Sequence, residues 1–257
     1  MDFPTLPPMD DAPTRYKAPS HAFPETCWSL IGDASGKGGK DADLDALRSF
    51  CVSYWYPLYA WARQGGMKAE DAEDAEDLIQ GFFERLIEKD FLAAAEKEKG
   101  SLRSFLIVCL KRHAGDVRER DRAGKRDVRK TVSLDFEWAD NQFSKHADSG
   151  VSPDAMYDRR WAHALLHYAI GLLKETMEAD GKADVFRELR PYLEFRGDEE
   201  ASYAELSERL GISEVAIKSR VHRLRQEYRK ILLEQVRMTL DRGEDPKQEL
   251  MALLGAV

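Results

Sequence analysis

Asp74-Ala75-Glu76-Asp77-Leu78-Ile79-Gln80-Gly81-Phe82-Phe83 is the stretch on which the reading of this chain turns. Leu78, Ile79, Phe82, Phe83, Leu86 and Ile87 recur at three- and four-residue steps, which gathers them on one side of an α-helix. Asp77, Gln80, Glu84 and Glu88 are then expected to face water, beside the carboxylates of Glu73, Asp74 and Glu76. The segment reads as an acidic ridge backed by an apolar stripe; an ordinary solvated helix face is the plainer account of the same pattern.

The helical period extends outward from this segment. Leu44, Leu47, Cys51, Tyr54 or Trp55, and Leu58 keep it on the amino-terminal side, where Pro57 either begins a helix or kinks one. Tyr54, Trp55, Tyr56, Tyr59 and Trp61 read as core rather than as a base-stacking platform, and Gly65-Gly66 closes the helix. On the other side, Ser101 opens a helix with Leu102, Phe105, Leu106, Val108, Cys109 and Leu110 turned inward, and past Leu110 it becomes strongly basic. Segments rich in Ala, Leu, Glu, Lys and Arg dominate and period-two alternation is scarce, so the fold class is all-α.

At 257 residues there is room for one or two cores. Residues 1–23, with Pro4, Pro7, Pro8, Pro13 and Pro19, make a poor core and are expected to be disordered. The ordered chain divides into a domain over 24–130, a polar, flexible linker over 131–151 and a second domain over 152–257. Ser152-Pro153-Asp154 starts a helix with Trp161, Leu165, Tyr168 and Leu172 as its stripe, ending at Asp180-Gly181. Three widely separated cysteines, Cys27, Cys51 and Cys109, offer neither a disulfide framework nor a zinc spacing, which fits a reducing cytoplasm. No apolar run reaches the ~18 residues of a membrane span, and no signal-peptide architecture is apparent.

The net charge of −8 hides a partition. Residues 103–130 hold ten Lys/Arg against four Asp/Glu, residues 209–230 seven against two, and residues 68–90 three against nine. Screening beyond about 8–10 Å makes such local surfaces count for more than the total. Two basic faces suit DNA, and one acidic face suits a basic protein.

The second basic stretch has an internal layout. Ser202-Tyr203-Ala204-Glu205 is a capping box, the helix it starts runs to Leu210, Gly211 turns the chain and Ser213 caps the next helix. On that helix Ile217, Val221 and Leu224 face inward. Val215, Lys218, Ser219, His222, Arg223 and Gln226 share the outer side, as a helix lying in the major groove requires. Arg220, Arg225 and Arg229 sit at its flanks and suit phosphate.

The pattern Asp-Ala-Glu-Asp-Leu-x-Gln-x-x-Phe at 74–83 resembles the polymerase-binding helix of bacterial sigma factors of the extracytoplasmic-function (ECF) type. Ser104-Phe105-Leu106, Lys111-Arg112 and Arg118-Glu119-Arg120-Asp121-Arg122 resemble the family's promoter-melting segment, and 202–220 resembles its second DNA-binding domain; together the motifs cover roughly 24–235. The resemblance implies that Asp74, Glu76, Asp77 and Gln80 grip core RNA polymerase. It also implies that Lys111, Arg112, Arg118, Arg120, Arg122, Lys125 and Arg126 contact the promoter element nearer the start site, and Lys218, Ser219, Arg220, His222, Arg223 and Gln226 the more distant one. Promoter DNA and core polymerase are the implied partners, with an anti-sigma factor or other regulator as a further one that no motif identifies. The chain departs from the family in having Phe105-Leu106, Cys109-Leu110 and Arg112 where Trp-Leu, an aliphatic-Ala pair and Asn are usual.

Two other classes stand beside this one: a DNA-binding regulator that uses only the carboxy-terminal helix-turn-helix, and an all-helical scaffold that sequesters a basic partner. No catalytic triad order, nucleotide loop or dinucleotide turn is present, so no enzymatic activity and no cofactor is expected. His163 and His167 have metal-pair spacing but lack the carboxylate of a zinc-protease motif and a third ligand.

Overall fold

The computed structural model describes residues 54–65, 72–87, 101–122, 134–145, 150–193, 203–240 and 243–255, with the backbone alone at 87 and 120–122. Every regular element among them is helical: α1 (54–63), α2 (Ala72–Ile87), α3 (Leu102–Arg122), α4 (Phe136–Lys145), α5 (Pro153–Ala179), α6 (Ala183–Leu189), α7 (Tyr203–Leu210), α8 (Glu214–Met238) and α9 (Pro246–Leu254). The amino-terminal extension expected to be disordered, Lys125, Arg126 and the Ser202 end of the capping box lie outside the described residues.

Local chemistry explains several boundaries. Ser152 accepts a hydrogen bond from the Ala155 amide at 3.2 Å and Pro153 occupies the first turn, so α5 starts where a donor is satisfied and a missing one costs nothing. Asp245 caps α9 in the same way, accepting from the Lys247 amide at 2.9 Å. Beyond Leu189 the chain tightens into a 3-10 turn over Arg190–Tyr192, with Pro191 inside it. Gly81 sits where α2 meets α3: a Cβ there would stand 3.3 Å from His113 Nε2, closer than most real contacts.

The helices share one core. α8 packs on α5, α7 and α9, α5 also touches α6 and α9, and α2 packs on α3. Tyr54 of α1 stacks on Trp161 of α5 with ring centroids 4.4 Å apart and planes 18° apart, and Tyr157 meets the same indole at 5.8 Å. The α1 aromatics are therefore interior, with Tyr54, Trp55, Tyr59 and Trp61 all buried.

Within the stretch 131–151, expected to be a flexible linker, residues 136–145 instead form α4. Asp135 accepts from the Trp138 amide at 3.0 Å to start it, and Ala139 and Phe143 are buried. Phe136 and Trp138 lie 5.1 and 6.3 Å from Trp55, and Trp138 also meets Tyr56 at 5.0 Å. Arg63 and Tyr59 reach Asp140 at 2.8 and 3.2 Å. The apolar positions 136, 139 and 143 have helical spacing, but the polar residues between them mask so short a stripe.

One cluster of buried residues also takes in side chains from Tyr54 to Leu254, across the boundary expected between two domains. Polar ties cross between the amino- and carboxy-terminal parts. The Leu102 amide donates to Thr239 O at 2.8 Å, the Tyr157 hydroxyl to Arg103 O at 2.9 Å, and Trp61 Nε1 to Asp154 at 2.9 Å. Arg103 pairs with Asp158 and, at 3.1 Å, with Glu249.

Candidate nucleic-acid interface

The carboxy-terminal two-helix unit is built from its turn outward. Gly211 takes φ +64°, a left-handed conformation that costs side-chain-bearing residues energy. The Ser207 hydroxyl donates to Ile212 O at 2.6 Å and the Ile212 amide to Ser207 O at 3.3 Å, which closes the turn. Ser213 then accepts from the Ala216 amide at 3.3 Å and starts α8. Leu206 of α7 and Ile217, Val221, Leu224 and Tyr228 of α8 are buried, so the packing fixes which side of α8 faces out.

That outer side holds all six carboxy-terminal residues expected at DNA. Lys218, Ser219, Arg220, His222, Arg223 and Gln226 are exposed. Arg223 Nη2 donates to Ser219 Oγ at 3.1 Å, and Gln226 Nε2 lies 2.9 Å from His222 Nε2. Lys218 Nζ stands 5.4 Å over the Tyr203 ring and 3.6 Å from Glu214, while Tyr203 stacks on Tyr192 at 5.1 Å. Arg220 makes no ion pair among the described residues and stands at the rim of a cavity of about 200 Å³ whose walls include Val185, Leu189, Leu210 and Ile217. Arg225 differs from its expected phosphate role: its Nε donates to Tyr192 O at 3.0 Å, tying α8 to the turn after α6.

The basic half of α3 is less uniform. Arg112 and Arg118 are exposed, whereas Lys111 is half-buried and pairs with Asp154 at 2.6 Å. Arg120 and Arg122 lie on the helix backbone. Burial pushes the Asp154 carboxyl up, but hydrogen bonds from Lys111 and Trp61 outweigh it and hold the group below its usual range. Arg103, counted with the same basic run, points into the core region; burial alone would favour its neutral form, and Asp158 and Glu249 reverse that. Asp116 pairs with Arg85 of α2. Two of the positive charges that suggested a DNA face thus hold α3 against α5 and α9. A sequence pattern of charge cannot separate an outward cation from one facing a buried carboxylate.

On α2, Asp74 is exposed and Glu76 and Asp77 are half-buried. Gln80 is a correction: expected to face water, it is 4% exposed. The buried arc of α2 takes in Ala75, Leu78, Ile79, Phe82, Phe83 and Leu86 and is wide enough to include its neighbour. Gln80 thus drops out of the outward face, Glu84 is half-buried like Asp77, and Glu88 lies outside the described residues.

Among the described residues no group of three or more His, Cys, Asp or Glu stands close enough to hold a metal ion, and no helix is long and apolar enough to cross a membrane. No protein family, no curated protein and no solved structure matches this chain.

Proposed function

We propose that this chain is a DNA-binding transcription initiation factor of the ECF sigma type, acting with core RNA polymerase in the cytoplasm. The carrying observation is the outer face of α8, where Lys218, Ser219, Arg220, His222, Arg223 and Gln226 are all exposed behind a capped turn. Short polar side chains let a helix approach base edges, and the amide and guanidinium groups give donors for guanine and adenine. The acidic end of α2, with Asp74 outward, supplies a surface for a basic polymerase element. Arg112 and Arg118 give α3 cations for the backbone of a second DNA element. In this reading the chain directs the polymerase's chemistry and performs none, and an anti-sigma type regulator would compete for the same acidic or basic faces.

A stand-alone helix-turn-helix regulator is the second reading, and one observation favours it. Lys111 is held by Asp154 and the two parts of the chain share one core, which ties α3 to the body that carries α8.

Core RNA polymerase from the source cell separates the two. The parent is expected to bind it, and Asp74→Ala with Asp77→Ala to weaken binding about tenfold or more, since close charge pairs at interfaces carry couplings of about 1.5 kcal/mol upward. A folded parent that ignores polymerase but binds DNA leaves the stand-alone regulator. On DNA, Lys218→Ala or Arg223→Ala is expected to cost about 1–3 kcal/mol if the side chain reads a base, checked by anisotropy titration at fixed salt.

A further inference from the structure

We infer that Val215 reads the 5-methyl group of a thymine in the major groove, an inference that rests on the DNA-binding reading of α8. Val215 is 77% exposed, more than Leu210 at 37% or Met251 at 57%, the other large exposed apolar side chains among the described residues. It is the second residue of α8, where a groove-lying helix presents its base-contacting end. Nothing among the described residues covers it, and apart from Glu214 the residues around it on the outer side are polar or cationic.

Its neighbours define the chemistry of what would. Val215, Ser219 and Arg223 follow one another at four-residue steps and form one ridge of the helix. Because Arg223 Nη2 donates to Ser219 Oγ at 3.1 Å, the guanidinium is laid back one turn towards the amino end. That leaves roughly 6 Å along the axis between the guanidinium's level and Val215, at 1.5 Å per residue. Glu214, the acid nearest Val215 in sequence, lies 3.6 Å from Lys218, so its charge is partly offset where a phosphate would approach. A surface that is apolar at one point and a two-pronged donor one turn away matches the major-groove edges of thymine, whose methyl is the apolar knob there, and guanine, with two acceptors. At about 3.4 Å per base-pair step, the two bases stand within about two base pairs of each other.

The test uses the full chain and a duplex recovered by selection from a random pool. Each thymine is replaced in turn by deoxyuridine, which removes only the methyl, and affinities of the parent and Val215→Ala are compared by anisotropy. At one thymine within about two base pairs of a guanine, the parent is expected to lose about three- to five-fold, the worth of one buried methyl. Val215→Ala should be weaker on the parent duplex by a similar factor and indifferent to the same methyl, while keeping its response elsewhere. Replacing that thymine by 5-methylcytosine rather than cytosine should restore part of the parent's affinity and none of the variant's. Equal uridine responses of parent and variant at every position overturn the inference while leaving DNA binding intact. Failure to recover any preferred duplex overturns the DNA-binding reading and this inference with it.

Discussion

Trp161→Ala is expected to lower stability by about 3–5 kcal/mol, the range for removing a large buried aromatic side chain. Trp161 is 1% exposed and stands between Tyr54 of α1, stacked at 4.4 Å, and Tyr157 at 5.8 Å. Its loss opens a cavity where the amino-terminal helices meet α5, and the ring–ring attraction, worth about 0.5–1.5 kcal/mol beyond burial, goes with it. Trp161→Phe keeps an aromatic face towards Tyr54 and should recover much of the difference. Urea unfolding followed by helical circular dichroism measures both; a loss below about 1 kcal/mol for alanine is too small for a filled interior position and would sink the packing described around α5.

The second large effect is electrostatic. Arg103→Met is expected to cost about 2–4 kcal/mol, because it strands Asp158 and Glu249 without the cation that faces them. The Arg103 and Glu249 side chains are each 17% exposed and Asp158 is 35% exposed, which places the cluster between a free surface pair and a fully buried one. Screening by added salt should therefore change the cost only modestly. Combining Arg103→Met with Asp158→Asn and Glu249→Gln removes the stranded charges and should restore part of the stability. If the triple variant is as unstable as the sum of its single changes, the three groups do not act as one cluster.

The all-α class was legible because helix period and composition agree over long segments, and the faces of α2 and α8 followed from the same period. The outer residues of α8 were readable for a specific reason: a capped turn fixes the helix phase, and Ile217, Val221 and Leu224 name the inner side without reference to anything distant. Gln80 was not readable, since whether the edge of an apolar arc is covered depends on what packs beside it. α4 was obscured because one buried phenylalanine and one buried alanine give too short a stripe among Asp, Asn, Gln and Ser. Arg103 and Lys111 were assigned by their sign, and their partners Asp158, Glu249 and Asp154 lie 43 to 146 positions away along the chain. A long-range ion pair leaves no local periodicity.

α8 serves two masters along its length. Its first turns carry the exposed basic side, while Tyr228, Leu232 and Val236 further on are buried in the common core, with the Tyr228 hydroxyl donating to Leu166 O of α5 at 3.3 Å. A fragment cut out before α7 would keep the exposed basic residues and bare the rest of its own helix. Such a fragment would be expected to clump or melt rather than fold by itself. The outward side of α8 thus leans for its support on α5, an element that such a fragment leaves behind.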